Sequence, residues 1–133
     1  MGDLTKNLSR HEFNSSDGRC IAVDFELVNA LQDVTDAFAR MSGRRVGIRI
    51  TSPYRSPEVN ARTPNASNKS YHLKGMAADF HLYFKDNGRR INPRLVYDYL
   101  DKRYAGKFGV SLYINRVHFD VRKQPWRSPE VTK

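Results

Sequence analysis

The chain reads as an α+β domain, because two stretches of helix-period apolar residues alternate with short runs of period two. Leu27, Leu31, Val34, Phe38 and Met41 recur at three- and four-residue steps between Asp24 and Met41, the spacing of one helix face. Asp24 is placed to cap that helix and Gly43 to end it. A second helix is expected from Asn92-Pro93, with Leu95, Val96, Tyr99 and Leu100 as its stripe and Gly106 as its stop.

The strands follow the other period. Val46, Ile48 and Ile50 alternate with Gly47, Arg49 and Thr51. From Ala77 to Phe84, Ala78, Phe80, Leu82 and Phe84 share one face, and Asp79, His81 and Tyr83 share the other. Gly109–Ile114 and Val117–Arg122 read as a hairpin turning at Asn115-Arg116, with Val117, Phe119 and Val121 inward and His118, Asp120 and Arg122 on the polar side. Between the first two strands, Ser52 to Ser70 is rich in Pro, Asn, Ser and Arg. Loops of that length in a compact domain are often functional. The tail from Gln124 to Lys133 is expected to be irregular.

A length of 133 residues suits one domain with its own core. Hydrophobic residues at 39% exclude a disordered chain, and no apolar run reaches the roughly 18 to 20 residues needed to cross a bilayer. Met1–Arg10 lacks the apolar stretch of a secretory signal, so synthesis in the cytoplasm is expected. Cys20 stands alone, which rules out an internal disulfide, and it is expected to be a small buried apolar residue. The net charge of +9 favours a polyanionic partner, either nucleic acid or the carboxylates and phosphates of a bacterial wall. The basic clusters Gly43-Arg44-Arg45 and Gly88-Arg89-Arg90 come without a helix-turn-helix, zinc-finger or RNA-binding aromatic motif, so nucleic acid is the weaker alternative.

His72, Asp79 and His118 form a set of two imidazoles and one carboxylate, which leaves zinc an open fourth position, as catalytic sites require. Taken alone, the residues leave that reading open against surface or hydrogen-bonded histidines. Ser70-Tyr-His72-Leu-Lys-Gly75-Met-Ala77-Ala-Asp79 resembles the SxHxxGxAxD signature of the D-Ala-D-Ala carboxypeptidase and L-Ala-D-Glu endopeptidase family, zinc peptidases grouped with lysostaphin and the hedgehog amino-terminal domain. Ser52-Pro-Tyr-Arg55-Ser-Pro-Glu-Val-Asn60 is similar to that family's upstream segment, and Val117-His118-Phe-Asp120-Val-Arg122 to its V-H-x-D-x-R strand. Leu8-Ser-Arg-His-Glu-Phe13 resembles the opening of small phage-type members.

The resemblance spans about residues 8 to 122, leaving 123–133 as a tail of the single domain 1–133. It implies a small antiparallel sheet with flanking helices and one Zn2+ per chain, bound by His72, Asp79 and His118. It also implies a substrate-holding role for Arg55, and Ser70 inside the motif is expected to orient His72; Tyr113, on the strand before His118, either contacts the reacting group or packs on the hairpin. The expected activity is hydrolysis of a peptidoglycan peptide bond, by an enzyme released to the wall in the phage manner or carried on a virion. Relatives often carry an acid three residues before the last histidine, where this chain has Asn115. Asp120 and His81 are therefore the candidate general bases. The missing acid also sustains a rival reading, a wall-binding module that keeps zinc without turnover.

Overall fold

The computed structural model describes residues 4–15, 24–52, 61 and 75–132. Cys20, Tyr54, Arg55, Ser70, His72 and nearly all of the Ser52–Ser70 segment lie outside these residues. The described elements are a 3-10 turn at Arg10–Phe13, α1 (Phe25–Ser42), β1 (Val46–Ser52), β2 (Ala77–Phe84), α2 (Pro93–Arg103), β3 (Gly109–Tyr113), β4 (Val117–Asp120) and β5 (Trp126–Thr132). The strands form one sheet in the order β1-β2-β4-β3-β5. The α+β class stands, and no helix among the described residues is long and apolar enough to cross a membrane.

Local chemistry sets the helix ends. The Asp24 carboxylate accepts the Glu26 amide at 2.8 Å, and Gly43 closes α1 with φ +67°, a conformation costly for any residue with a Cβ. Asn92 caps α2 in the same way through Arg94, with Pro93 in the first turn. The buried stripes differ from the expected ones at their margins. Met41 is 65% exposed in the last turn of α1, and in α2 Tyr97 is buried where Leu95 was expected and Leu95 is 54% exposed. A 3.6-residue period drifts across a stripe read in steps of three and four, so its ends are the least determined positions.

The sheet divides cleanly. Ala78, Phe80 and Leu82 of β2, Val110 and Leu112 of β3, and Val117 and Phe119 of β4 are all buried in one cluster with Leu27, Leu31 and Val34 of α1 and Val96 and Leu100 of α2. Leu8 and Phe13, flanking the amino-terminal turn, join this core at 0% and 2% exposure. Both helices therefore cover one face, and the odd-numbered residues of β2 are left for the other.

Two expectations about the end of the chain are corrected. The segment read as an irregular tail forms β5, and β5 pairs with β3 in parallel, so the sheet is mixed and not wholly antiparallel. Pro129 within it cannot donate to a ladder, but β5 is an edge strand, where a missing N–H is tolerated. Side-chain bonds that a periodicity search cannot see hold it in place. Arg127 bonds the Asp101 carboxylate at 2.7 Å and the carbonyls of Phe108 at 2.7 Å, Trp126 and Tyr104 at 2.9 Å, and Lys107 at 3.0 Å. One guanidinium thus ties β5 to the end of α2 and to the turn before β3. Replacing Arg127 with Ala is expected to lower stability in urea unfolding by about 1–3 kcal/mol, the range for losing charge-assisted hydrogen bonds. Lysine should not restore it, because it lacks the planar fork. An unchanged midpoint for Arg127→Ala would show that β5 is held by its backbone alone.

Candidate metal centre

The register of the central strands assembles the site. β2 and β4 pair antiparallel with Asp79 opposite His118, and β3 places Ser111 on the far side of His118. Residues directly opposite each other project to the same side of a sheet, so Asp79, His118 and Ser111 form a row across its polar face. His118 Nδ1 lies 2.8 Å from Asp79 Oδ1, and His118 Nε2 lies 2.7 Å from Asp120 Oδ2. Asp79 is 9% exposed and Asp120 is fully buried.

Asp120 is itself held. Arg122 donates from Nε to Asp120 Oδ1 and from Nη2 to Oδ2, both at 2.6 Å, and its backbone N–H reaches Oδ1 at 3.3 Å. The guanidinium packs on the Trp126 ring, 4.7 Å from its centroid, and Trp126 also meets the His118 ring edge-on at 6.2 Å between centroids. Gly109 makes room for this pair: a Cβ there would lie 2.6 Å from Arg122 Nε and would overlap the Asp120 carboxylate. Glycine is required by crowding here, not by its backbone angles.

This arrangement determines the state of His118. Ionised Asp79 and Asp120 can each only accept, so a neutral His118 satisfies one of them; with its proton on Nε2 toward Asp120 it turns the lone pair of Nδ1 toward Asp79. Two acceptors 2.8 Å apart repel unless a cation lies between them. In the metal-free chain that cation is a proton. Burial alone would push the His118 pKa down, but the hydrogen bonds and charges of Asp120 and Asp79 outweigh it and raise the value from 6.5 to about 9. Burial also works against ionising Asp120, and Arg122 and His118 outweigh it, holding that carboxyl well below its usual range.

The other expected residues are placed as follows. His81 is on the Asp79 face, opposite Arg49 and 7% exposed, and its Nδ1 is buried without a hydrogen-bond partner among the described residues. Burial lowers its pKa, and Arg90 and Arg49 lower it further. Tyr113 lies under the Arg116 guanidinium, 4.1 Å from ring centroid to Cζ. Asn115 is exposed in the β3–β4 turn. Arg116, Arg122, Gly109 and Trp126 were given no role from the sequence. Arg122 was the most accessible of these, because alternation alone places it beside Asp120 on the polar face. Arg116 reaches Asp79 Oδ2 at 3.4 Å, and its position follows only from how the turn closes.

Among the described residues no group of three His, Cys, Asp or Glu side chains is arranged to hold a metal. Asp79 and His118 supply two donors, and the third expected ligand, His72, is outside these residues. The two fit the ion: zinc bonds of about 2.0–2.1 Å at a tetrahedral angle separate two donor atoms by roughly 3.3 Å, a small opening of the observed pair. Nε2 donating to a clamped carboxylate is also the usual way a metal-bound imidazole is oriented.

The fold and this face define an α+β protein with a candidate metal centre of the hydrolase type. A family model described as Peptidase M15 matches residues 5–120, most of the chain. The chain belongs to the Peptidase M15 family of zinc peptidases. No curated protein sequence and no solved structure matches it.

The raised His118 pKa has a stability consequence in chelated, metal-free protein. A group raised above its unfolded value stabilises the fold fully below 6.5 and loses that contribution as pH climbs through about 9. The depressed Asp120 acts in the opposite sense: its contribution is present above 3.8 and is lost on acidification. The melting temperature in chelator should therefore fall between pH 6.5 and about 9, and His118→Gln should flatten that slope. An equal slope in both proteins would mean that His118 does not carry the proton.

Proposed function

We propose that the protein is a zinc-dependent peptidase that hydrolyses a peptide bond in the stem peptide or cross-link of bacterial peptidoglycan, with one ion held by His72, Asp79 and His118. The observation that supports it most is the facing pair of acceptors, Asp79 Oδ1 and His118 Nδ1, which calls for a cation in a chain of a zinc-peptidase family. When bound, zinc supplies Lewis-acid polarisation of the scissile carbonyl and a lowered pKa for water. The chain's own residues do the rest.

Asp120 is a positioning residue in this reading and not the base. Both of its oxygens are engaged by Arg122, Oδ2 also meets His118 Nε2, and the carboxyl is fully buried. His81 is the better proton acceptor on this face, since burial, Arg90 and Arg49 keep it neutral at neutral pH. Arg116 balances the second oxygen of Asp79 and, with 30% of its side chain exposed, also faces solvent beside Tyr113. Arg55 and Ser70 keep the substrate-holding and ligand-orienting roles that the sequence resemblance implies. The rival reading, a zinc-retaining wall-binding module, rests on Asn115, which supplies no acid. Action at the wall after phage-type release belongs to the proposal as well.

Purified protein incubated with zinc and desalted should retain one ion per chain by elemental analysis, and His118→Ala should retain far less. Peptidoglycan digestion followed by mass spectrometry identifies the bond cut, and absence of any new terminus from zinc-loaded protein would favour the inactive module. Asp120→Asn distinguishes positioning from proton transfer. A positioning role lowers zinc affinity by about 10- to 100-fold. A base role would leave the metal in place and lower kcat by roughly 10²- to 10⁴-fold. The second pattern is expected instead of His81→Gln.

A further inference from the structure

We propose that Arg49 and Arg90 form a subsite on the sheet face beside the metal centre that binds a carboxylate of an acidic peptide substrate, two to four residues from the cleaved bond. The inference rests on the peptidase reading and names the class of peptide that the same face accepts.

Pairing puts both arginines on that face. Arg49 stands opposite His81, which shares the face of Asp79, and Arg90 bridges antiparallel to Tyr83, the next residue on that face. At about 3.3 Å per residue, His81 lies roughly 7 Å and Tyr83 roughly 13 Å along β2 from Asp79. An extended peptide advances at the same rate, so one lying along β2 from the metal centre presents its second to fourth residues to these two guanidiniums.

The charges there are unbalanced, whereas several other described arginines are each paired with an acid. Arg44 pairs with Asp86, Arg94 with Asp98, Arg103 with Asp33, and Arg127 with Asp101. Arg49 and Arg90 are exposed and make no ion pair among the described residues; the Arg90 side chain donates to the Asn115 carbonyl at 3.4 Å. Between them His81 is more than nine-tenths buried, with Nδ1 lacking a hydrogen-bond partner among the described residues. Arg45 and Lys85, both exposed, extend the positive charge to the strand ends, where the Lys85 N–H bonds the Arg45 carbonyl at 3.0 Å. Like charges held close together without an acid cost stability, and an anionic ligand removes that cost. A peptidase's ligand is a peptide, and a guanidinium fork suits its carboxylates. The chain does not need a long polymer to fill so short a track.

The test uses zinc-loaded protein and two soluble muropeptide stem peptides that differ only in whether the side-chain carboxylate is free or amidated. The free acid should be cleaved with a kcat/KM roughly tenfold or more above that of the amide, mostly through KM, as expected for a charge-assisted hydrogen bond. R49Q/R90Q should bring the ratio toward one, R49K/R90K should restore part of it, and R94Q on α2 should leave it unchanged. A ratio unaltered in R49Q/R90Q, or both peptides slowed equally, overturns the subsite. If zinc-loaded wild type cleaves neither peptide, the peptidase reading fails by itself. Fluorescence anisotropy of the two labelled peptides then decides the subsite: tighter binding of the acid that is lost in R49Q/R90Q supports it, and equal binding overturns it. A labelled oligonucleotide that binds more tightly than the acid peptide at physiological salt and is released by R49Q/R90Q would assign the face to nucleic acid and overturn the peptide.

Discussion

Asp79 Oδ1 and His118 Nδ1 are held 2.8 Å apart on neighbouring strands with Asp120 on the other ring nitrogen, and two ionised carboxylates on one imidazole require a proton or a metal ion at each nitrogen. The β2–β4 register brings the residues opposite each other, and the clamp on the far side of the imidazole decides which nitrogen faces inward. Arg122 engages both oxygens of Asp120, so Asp120 accepts from Nε2 and leaves Nδ1 for the cation. In the proposed function, a proton and a zinc ion compete for one place. The electrostatics that raise the His118 pKa thus favour a divalent ion as well, because both respond to the same pair of carboxylates.

The rest of the fold keeps that contact in position. The helices cover one face of the sheet with a continuous apolar core, so the strands cannot slip by one residue without exposing Phe80, Leu82 and Phe119. The register that buries these residues is the one that pairs Asp79 with His118. On the polar face, Gly109 leaves the space in which Asp120 and Arg122 meet, and β5 brings Trp126 against the guanidinium. Arg127 joins β5 to α2 and to the turn before β3, linking the edge strand to the helix layer.

Charge is unevenly distributed over this scaffold. Several described arginines have an acidic partner, which fits ordinary surface pairing with small energetic effect. Those along β1 and the end of β2 do not, and they share the face of the metal centre. The net charge of +9 is consequently less informative than its distribution.

Residue patterns were sufficient for the elements whose signals are local. The span of β2, the caps at Asp24, Asn92 and Gly43, and the inward set Val117, Phe119 and Val121 were legible because they depend on periods and end chemistry within a few residues. Alternation likewise placed Asp79 and His118 on the polar face, while His72 joined them only through the family resemblance. Strand order, the parallel pairing of β5, the convergence of Arg122 on Asp120, and the approach of Arg116 to Asp79 depend on contacts between segments remote in sequence or on how a turn closes. Sequence by itself determined which residues face the polar side of the sheet, because side-chain direction follows from the period of the strand. Only the tertiary structure decided which of them touch, because register and strand order are set by the burial of the opposite face.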